Sequence, residues 1–391
     1  MRSRIRGLVA VTCIALGWSV GVAVATEQQP PMDQDSLNPF TTEEVVAFLQ
    51  AAAKADTIAD PLQRCLQFPN PPRSHWKAQS VEAYCTYRFQ PTLSFHEFKS
   101  LIESGKAAEI DQRLSDWAGD PKHHPESFWH FLSDTFRRET GVSRRLLESW
   151  KQQCPQSAYA HAASGYSFLI AAWNARGAAS ASDTQDSNFA DMNRILPRAE
   201  GDLRMAARLD PALVLPSAAM IKAGMLVSDQ ALMNEAVHDG LRVGKGSLPL
   251  YSAMSLAVAP RWGGSVEAQD ELLKAIDAEM PSHPLLHTVR TSILVDQSDL
   301  FACDCRSVLE QAAYRKAFDD VGAYRELFFA GSNALDHGQN EIAVVYLTEA
   351  FRFDPKDQGV QAARSKALAS FSRLLAMPQA DGQPGKESPY P

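Results

Sequence analysis

From Ser94 onward, apolar residues return every three or four positions with polar residues between them. That period belongs to α-helices that bury one face. Ser94 opens FHEFKSLIESG with Glu97 three residues on, a capping box, and Gly105 stops it. Lys106 to Trp117 then sets Ile110, Leu114 and Trp117 on one face, and Phe128, Phe131, Leu132 and Phe136 repeat the spacing after Pro125. RRLLESWKQQ follows Ser143 and ends at Pro155. Upstream, Thr41 and Glu44 form another capping box, with Val45, Val46, Phe48, Leu49 and Ala52 at helical spacing. Residues 60–91 are rich in proline and aromatics without a clear period, which predicts an irregular insert. No run of β-branched residues alternates over six or more positions, so strands are not expected.

The helical pattern also repeats at long range. LRMAARLDP (Leu203 to Pro211) and LTEAFRFDP (Leu347 to Pro355) share the skeleton L-x-x-A-x-R-x-D-P at a separation of 144 residues. Ala199, Ala206 and Pro211 are spaced 7 and 5 apart, as are Ala343, Ala350 and Pro355. Ahead of the second copy, Leu327, Ala330, Gly331 and Ala334 fit the first helix of a hairpin; the upstream copy keeps only the second-helix signature. The second copy resembles a tetratricopeptide repeat (TPR). Small residues let the two helices of a hairpin approach closely, and the proline lies where the second helix cannot continue. One hairpin cannot bury its own apolar face, so hairpins stack. Further hairpins are expected at 212–226 with 229–243, at 250–259 with 265–280, and at 284–295 with 305–318. A helix at 356–375 would cap the stack, and the polar stretch 175–188 is a loop within it. The expected fold is all-α: a TPR-like helical-hairpin solenoid over 141–377, after an N-terminal helical region, 41–140, that carries a disulfide-containing irregular insert. Residues 378–391 read as a disordered tail.

The first 25 residues break the pattern. Arg2, Arg4 and Arg6 precede an apolar run from Leu8 to Ala25 that closes on Ala23-Val24-Ala25. A basic start, an apolar middle and a small-x-small exit describe a secretory signal peptide, cleaved after Ala25. Residues 26–40 read as a flexible leader, and the mature chain is expected in the periplasm or outside the cell. No other segment approaches the ~20 apolar residues of a spanning helix, so membrane insertion of the mature chain is not expected. Losing three arginines reduces 38 basic residues to 35, against 46 acidic ones. That balance argues against a nucleic-acid partner, which needs basic patches. A hydrophobic fraction of 45% is ample for a core.

Five cysteines follow the signal segment: Cys65, Cys85, Cys154, Cys303 and Cys305. Export would place them under oxidising conditions. Cys65 and Cys85 flank the proline-rich FPNPPRSHW and are the first expected pair. Such a bridge would close a loop of about 20 residues, worth roughly 3 kcal/mol. Cys303 and Cys305 can bridge each other, or one of them can reach Cys154.

Three short motifs stand in order: Ala172-Trp-Asn-Ala-Arg-Gly177, AARLDP and Pro260-Arg-Trp-Gly-Gly264. Together they resemble a proteobacterial family catalogued as domain of unknown function 4034, over roughly Phe95 to Met280. The resemblance implies a TPR-like helical fold and no activity. Trp173, Arg176, Arg261 and Trp262 are the candidate binding residues. Each pair can instead form a packed corner, since an arginine near a helix C-terminus also complements the helix dipole. His283 and His287 have i, i+4 spacing but lack the glutamate of a zincin, so no metal site is expected. There is no G-x-S-x-G, Walker loop or G-x-G-x-x-G, so no catalytic residue and no cofactor is assigned. The expected function is an exported helical-repeat protein that binds a protein or peptide partner, with an inhibitor or immunity role as a narrower option. The alternative is an envelope hydrolase with its site in the groove or insert.

Overall fold

The computed structural model describes residues 40–119, 126–136, 141–300 and 308–376. All regular elements among them are helical. Seven helices come first: α1 (Thr42–Ala55), α2 (Pro61–Gln67), α3 (Ala78–Phe89), α4 (Phe95–Glu103), α5 (Ala107–Gly119), α6 (Ser127–Thr135) and α7 (Gly141–Gln153). Antiparallel hairpins follow: α8 (Ala158–Arg176) with α9 (Asp186–Leu209), α10 (Leu215–Val227) with α11 (Gln230–Gly244), and α12 (Leu248–Ala257) with α13 (Val266–Glu279). Next come α14 (Leu286–Gln297) with α15 (Val308–Ala317), and α16 (Tyr324–Asp336) with α17 (Asn340–Phe353). A final helix, α18 (Gln358–Ala376), packs on α17. The first helices α8, α10, α12 and α14 stack on one another in order, which makes the chain a helical-repeat solenoid. Both expected capping boxes are present, at Thr41–Glu44 and Ser94–Glu97.

The two sequence skeletons occupy equivalent rungs. A Cβ on Gly165 of α8 would lie 2.7 Å from Leu203 Cγ, and one on Gly331 of α16 would lie 2.7 Å from Leu347 Cγ. Each leucine of the skeleton therefore sits directly on a first-helix glycine, where any larger residue would drive the hairpin apart. Ala206 and Ala350 are fully buried in the corresponding second helices. The upstream copy thus has its first helix, although its sequence lacks the first-helix signature. Its signature is disguised because Ser164 precedes Gly165 where Ala330 precedes Gly331, and because a longer loop precedes α9.

The insert at 60–91 also differs from expectation, since α2 and α3 flank its proline-rich loop. Helix α3 buries Ser80, Val81, Tyr84, Cys85 and Tyr87, positions that wrap around much of its circumference. A helix enclosed on several sides shows no one-face period. The expected Cys65–Cys85 disulfide joins α2 to α3. Cys154 forms no disulfide among the described residues. Cys303 and Cys305 lie outside the described residues, as do the expected signal segment and tail. Of the expected leader only Phe40 is described, and it is buried edge-on to Tyr346 at 5.6 Å.

These N-terminal helices fold back onto the far end of the solenoid. Trp76 Nε1 donates to the Phe318 carbonyl at 2.9 Å, and the Tyr84 ring lies 4.6 Å from that of Phe353. Arg88 donates to the Phe353 carbonyl at 3.1 Å and pairs with Asp354 at 3.1 Å. Arg352 is wholly buried, donating to the Cys65 carbonyl at 2.8 Å and pairing with the buried Glu349 at 3.2 Å. Its counterpart in the first skeleton, Arg208, stays exposed. The same motif position is a solvated charge on one rung and a docking bolt on the other. The hydrophobic core follows this topology. Residues of α1–α3 share one core with α8–α18, while α4–α7 build a second with Ala160, Ala163 and Ala206. No helix among the described residues is long and apolar enough to cross a membrane.

Candidate functional site

Helix α3 reaches from the last complete hairpin back to α6, where the Tyr87 ring meets that of His130 at 5.1 Å. Together with α6 it faces the first helices of the stack across an open cavity of about 620 Å³. That volume falls in the ordinary range for ligand sites. One wall is built by successive first helices: Tyr166 from α8, Lys222 from α10, Ser252 and Ser255 from α12, Ser292 and Asp296 from α14, Glu326 from α16. The facing wall consists of Tyr84, Tyr87 and Arg88 from α3 and Trp129 and Leu132 from α6. A second hollow, of about 730 Å³, lies between two connecting segments, 88–95 and 353–359, with helix residues of α6 at its side. Only the first is lined by one rung after another.

Charge in the 620 Å³ cavity is unevenly compensated. Arg88 carries Asp354, and Arg261 pairs with Asp296, whose other oxygen accepts from Gln269 at 2.8 Å. Lys222 is different. Its ammonium lies 5.4 Å over the Trp129 ring, and no carboxylate pairs with it among the described residues. Burial alone pushes its pKa down to about 8. Trp129 in turn meets Tyr166 edge-to-face at 5.4 Å, and burial pushes that phenol up to about 12. At the far end, Glu326 accepts from Ser292 at 3.1 Å through one oxygen, while its second oxygen is buried with no hydrogen-bond partner. Burial raises the Glu326 carboxyl above its usual range, with Arg325 opposing. The site offers an uncompensated cation, a half-satisfied carboxyl, serine hydroxyls and aromatic walls.

Three of the four residues singled out in the sequence meet. Trp173 and Trp262 pack edge-to-face at 4.7 Å, and the Arg176 guanidinium sits 5.2 Å over the Trp262 ring. Arg176 also donates to the carbonyls of Gly177 and Ala179 at 3.1 and 3.0 Å, closing the end of α8. This is a packed corner joining two hairpins. The Pro260-Arg-Trp-Gly-Gly264 turn makes it possible: a Cβ on Gly264 would lie 2.0 Å from the Val258 carbonyl oxygen, so only glycine lets the chain turn back here. Arg261 leaves the corner and lines the cavity with Asp296. His283 and His287 do not converge, since His287 pairs with Asp320 and His283 lies 3.7 Å from Glu279.

Sequence reasoning did not single out Lys222, Trp129, Tyr166 or Glu326. For Lys222 a signal was present. It is the lone charge in LPSAAMIKAGMLV, a helix that is otherwise nearly all apolar and buried. A charge kept in such a run is costly unless something uses it.

No family model matches the chain, and no curated protein matches it. The resemblance to the family of unknown function rests on its three motifs alone. Among solved structures, the chain is similar to one in the crystal structure of the APC/C hetero-tetramer Cut9-Hcn1, at 14% identity and a TM-score of 0.30. The match covers 86% of this chain and 58% of that one, so the chain spans less than two thirds of its length. So loose a likeness bears on neither partner nor activity, and the architecture rests on the helix pairing described above.

Proposed function

We propose that the protein is a binding module that holds an extended peptide segment of a partner in the 620 Å³ cavity. The observation that carries this is the cavity's lining, with one side-chain set contributed by each of five successive rungs. An extended chain advances 3.3–3.6 Å per residue and packed helices lie about 8–10 Å apart, so a seven-residue segment laid across the rungs meets three or four neighbouring helices in turn. The serines of α12 and α14 supply hydrogen-bonding groups for its backbone, and the aromatic walls supply apolar surface. Affinity selection from a defined heptapeptide library tests the reading. The protein should retain a reproducible subset, and Ser255→Trp, which fills the cavity, should release it. Equal retention by both proteins, or none by either, contradicts it.

We further propose that the mature chain begins at Thr26 and works outside the cytoplasm. The Arg2–Ala25 pattern and the Cys65–Cys85 disulfide, a bond favoured in oxidising compartments, support this. Intact mass of the protein from the cell envelope should show loss of residues 1–25; a full-length mass there would contradict it.

A further inference from the structure

We propose that the cavity selects segments bearing a carboxylate and seats that carboxylate on Lys222 beside Trp129, an inference that rests on the peptide-binding reading above. The argument comes from the charges around the cavity. Its lining holds four cations, from α3, α10, the turn between α12 and α13, and α16: Arg88, Lys222, Arg261 and Arg325. Arg88 is neutralised by Asp354 and Arg261 by Asp296. Arg325 is exposed and donates to the Tyr324 hydroxyl at 3.1 Å. Lys222 alone is both half-buried and without an anionic partner among the described residues.

A half-buried cation facing a cavity without a counter-charge carries a desolvation cost that folding does not need, because a methionine or leucine would fill the same place in α10. A ligand carboxylate supplies the missing charge. It also restores the hydrogen bonds that the ammonium forgoes on leaving water, and such charge-assisted bonds are the strong ones in a site of low polarity. Tyr166 and Trp129 present aromatic surface next to this point, matching the apolar part of the segment. Glu326 marks the opposite pole. Its free oxygen repels a second carboxylate and accepts from a donor instead, so the segment has one preferred direction. Other ionisable groups facing the cavity are the phenol of Tyr324 and those of Tyr84, Tyr87 and Tyr166, the last three raised by burial and neutral at physiological pH.

The carboxylate can come from an aspartate or glutamate side chain or from a chain terminus. Two heptapeptide libraries separate these sources, one with free C-terminal carboxylates and one amidated. Each is passed over the wild type, Lys222→Met and Lys222→Arg, with circular dichroism confirming the fold. The wild type should enrich carboxylate-bearing peptides about tenfold or more over neutral ones, as a charge-assisted contact implies. Lys222→Met should lose that enrichment while still retaining neutral peptides, and Lys222→Arg should recover part of it. Enrichment persisting in the amidated library assigns the carboxylate to side chains; enrichment confined to the free-acid library assigns it to the terminus. If the wild type retains peptides with no carboxylate preference, or Lys222→Met keeps the preference, the inference is wrong while the groove reading stands. If no protein retains any peptide, both fall. Should Lys222→Met fail to fold, the Lys222→Gln variant takes its place with the same outcomes.

Discussion

The Arg352 guanidinium donates through Nε to the carbonyl oxygen of Cys65 at 2.8 Å, tying residues 287 positions apart. Through this bond the last repeat grips the disulfide-stapled N-terminal helices. Arg352 also contacts Glu349 at 3.2 Å, and both are essentially inaccessible to solvent. Removing one member of such a pair strands the other charge. Arg352→Met should therefore cost about 3–5 kcal/mol, whereas the double change with Glu349→Leu should cost much less. Urea denaturation of the three proteins checks this; additive losses would mean that the pair is not coupled.

Reducing the Cys65–Cys85 bond should lower stability by roughly 3 kcal/mol, as expected for a loop of this length. The loss should be concentrated in α2 and α3, because the bond joins them. Denaturation midpoints with and without reductant give the answer. An unchanged midpoint would show that docking on α17 holds these helices unaided.

Glu126 adds a pH dependence. It is buried, its Oε1 accepts from the Leu248 amide at 2.8 Å, and burial raises its pKa to about 7. The folded state then binds a proton that the unfolded state has already released between pH 4.5 and 7. Stability from this group is present at low pH and is lost as pH rises through 7. Glu126→Gln keeps the acceptor without the charge. It should match the wild type near pH 4.5 and exceed it by up to about 3 kcal/mol at pH 8. A difference that does not vary with pH would assign the effect to packing.

Lys222 should show the corresponding trade. Its pKa is depressed in the folded state to about 8, so the unfolded chain holds the extra proton between pH 8 and 10.5. The cost of the buried charge is then full below pH 8 and relieved as pH rises above it. Lys222→Met should be more stable than the wild type at pH 7, by up to about 3 kcal/mol, with the gap narrowing toward pH 10. A less stable Lys222→Met at pH 7 would show that the ammonium already has a favourable partner.

Much of this architecture was legible in the chain. Capping residues at Thr41 and Ser94, the Leu203 and Leu347 skeletons and the turn at Pro260–Gly264 are local signals, and local signals survive in sequence. The Cys65–Cys85 pairing followed from two cysteines flanking one proline-rich loop. What could not be read was the return of α1–α3 to the final hairpin. Arg208 and Arg352 occupy the same motif position, and nothing local says which one will be covered. For the same reason the cavity was invisible, because its walls come from helices far apart in the chain. Trp173, Arg176, Arg261 and Trp262 are chemically marked in the sequence, and three of them meet at a corner between hairpins while Arg261 lines the cavity. Lys222 carried the stronger cue, a single charge in an apolar helix.

The most direct test of the account is hydrogen exchange with and without a retained peptide. The account places the segment between α3 and the first helices of the hairpins, so slowed exchange should appear in α3, α10, α12, α14 and α16 and leave α11 and α13 unchanged. Protection confined to α11, α13 or the outer loops, with the inner helices unaltered, would contradict it.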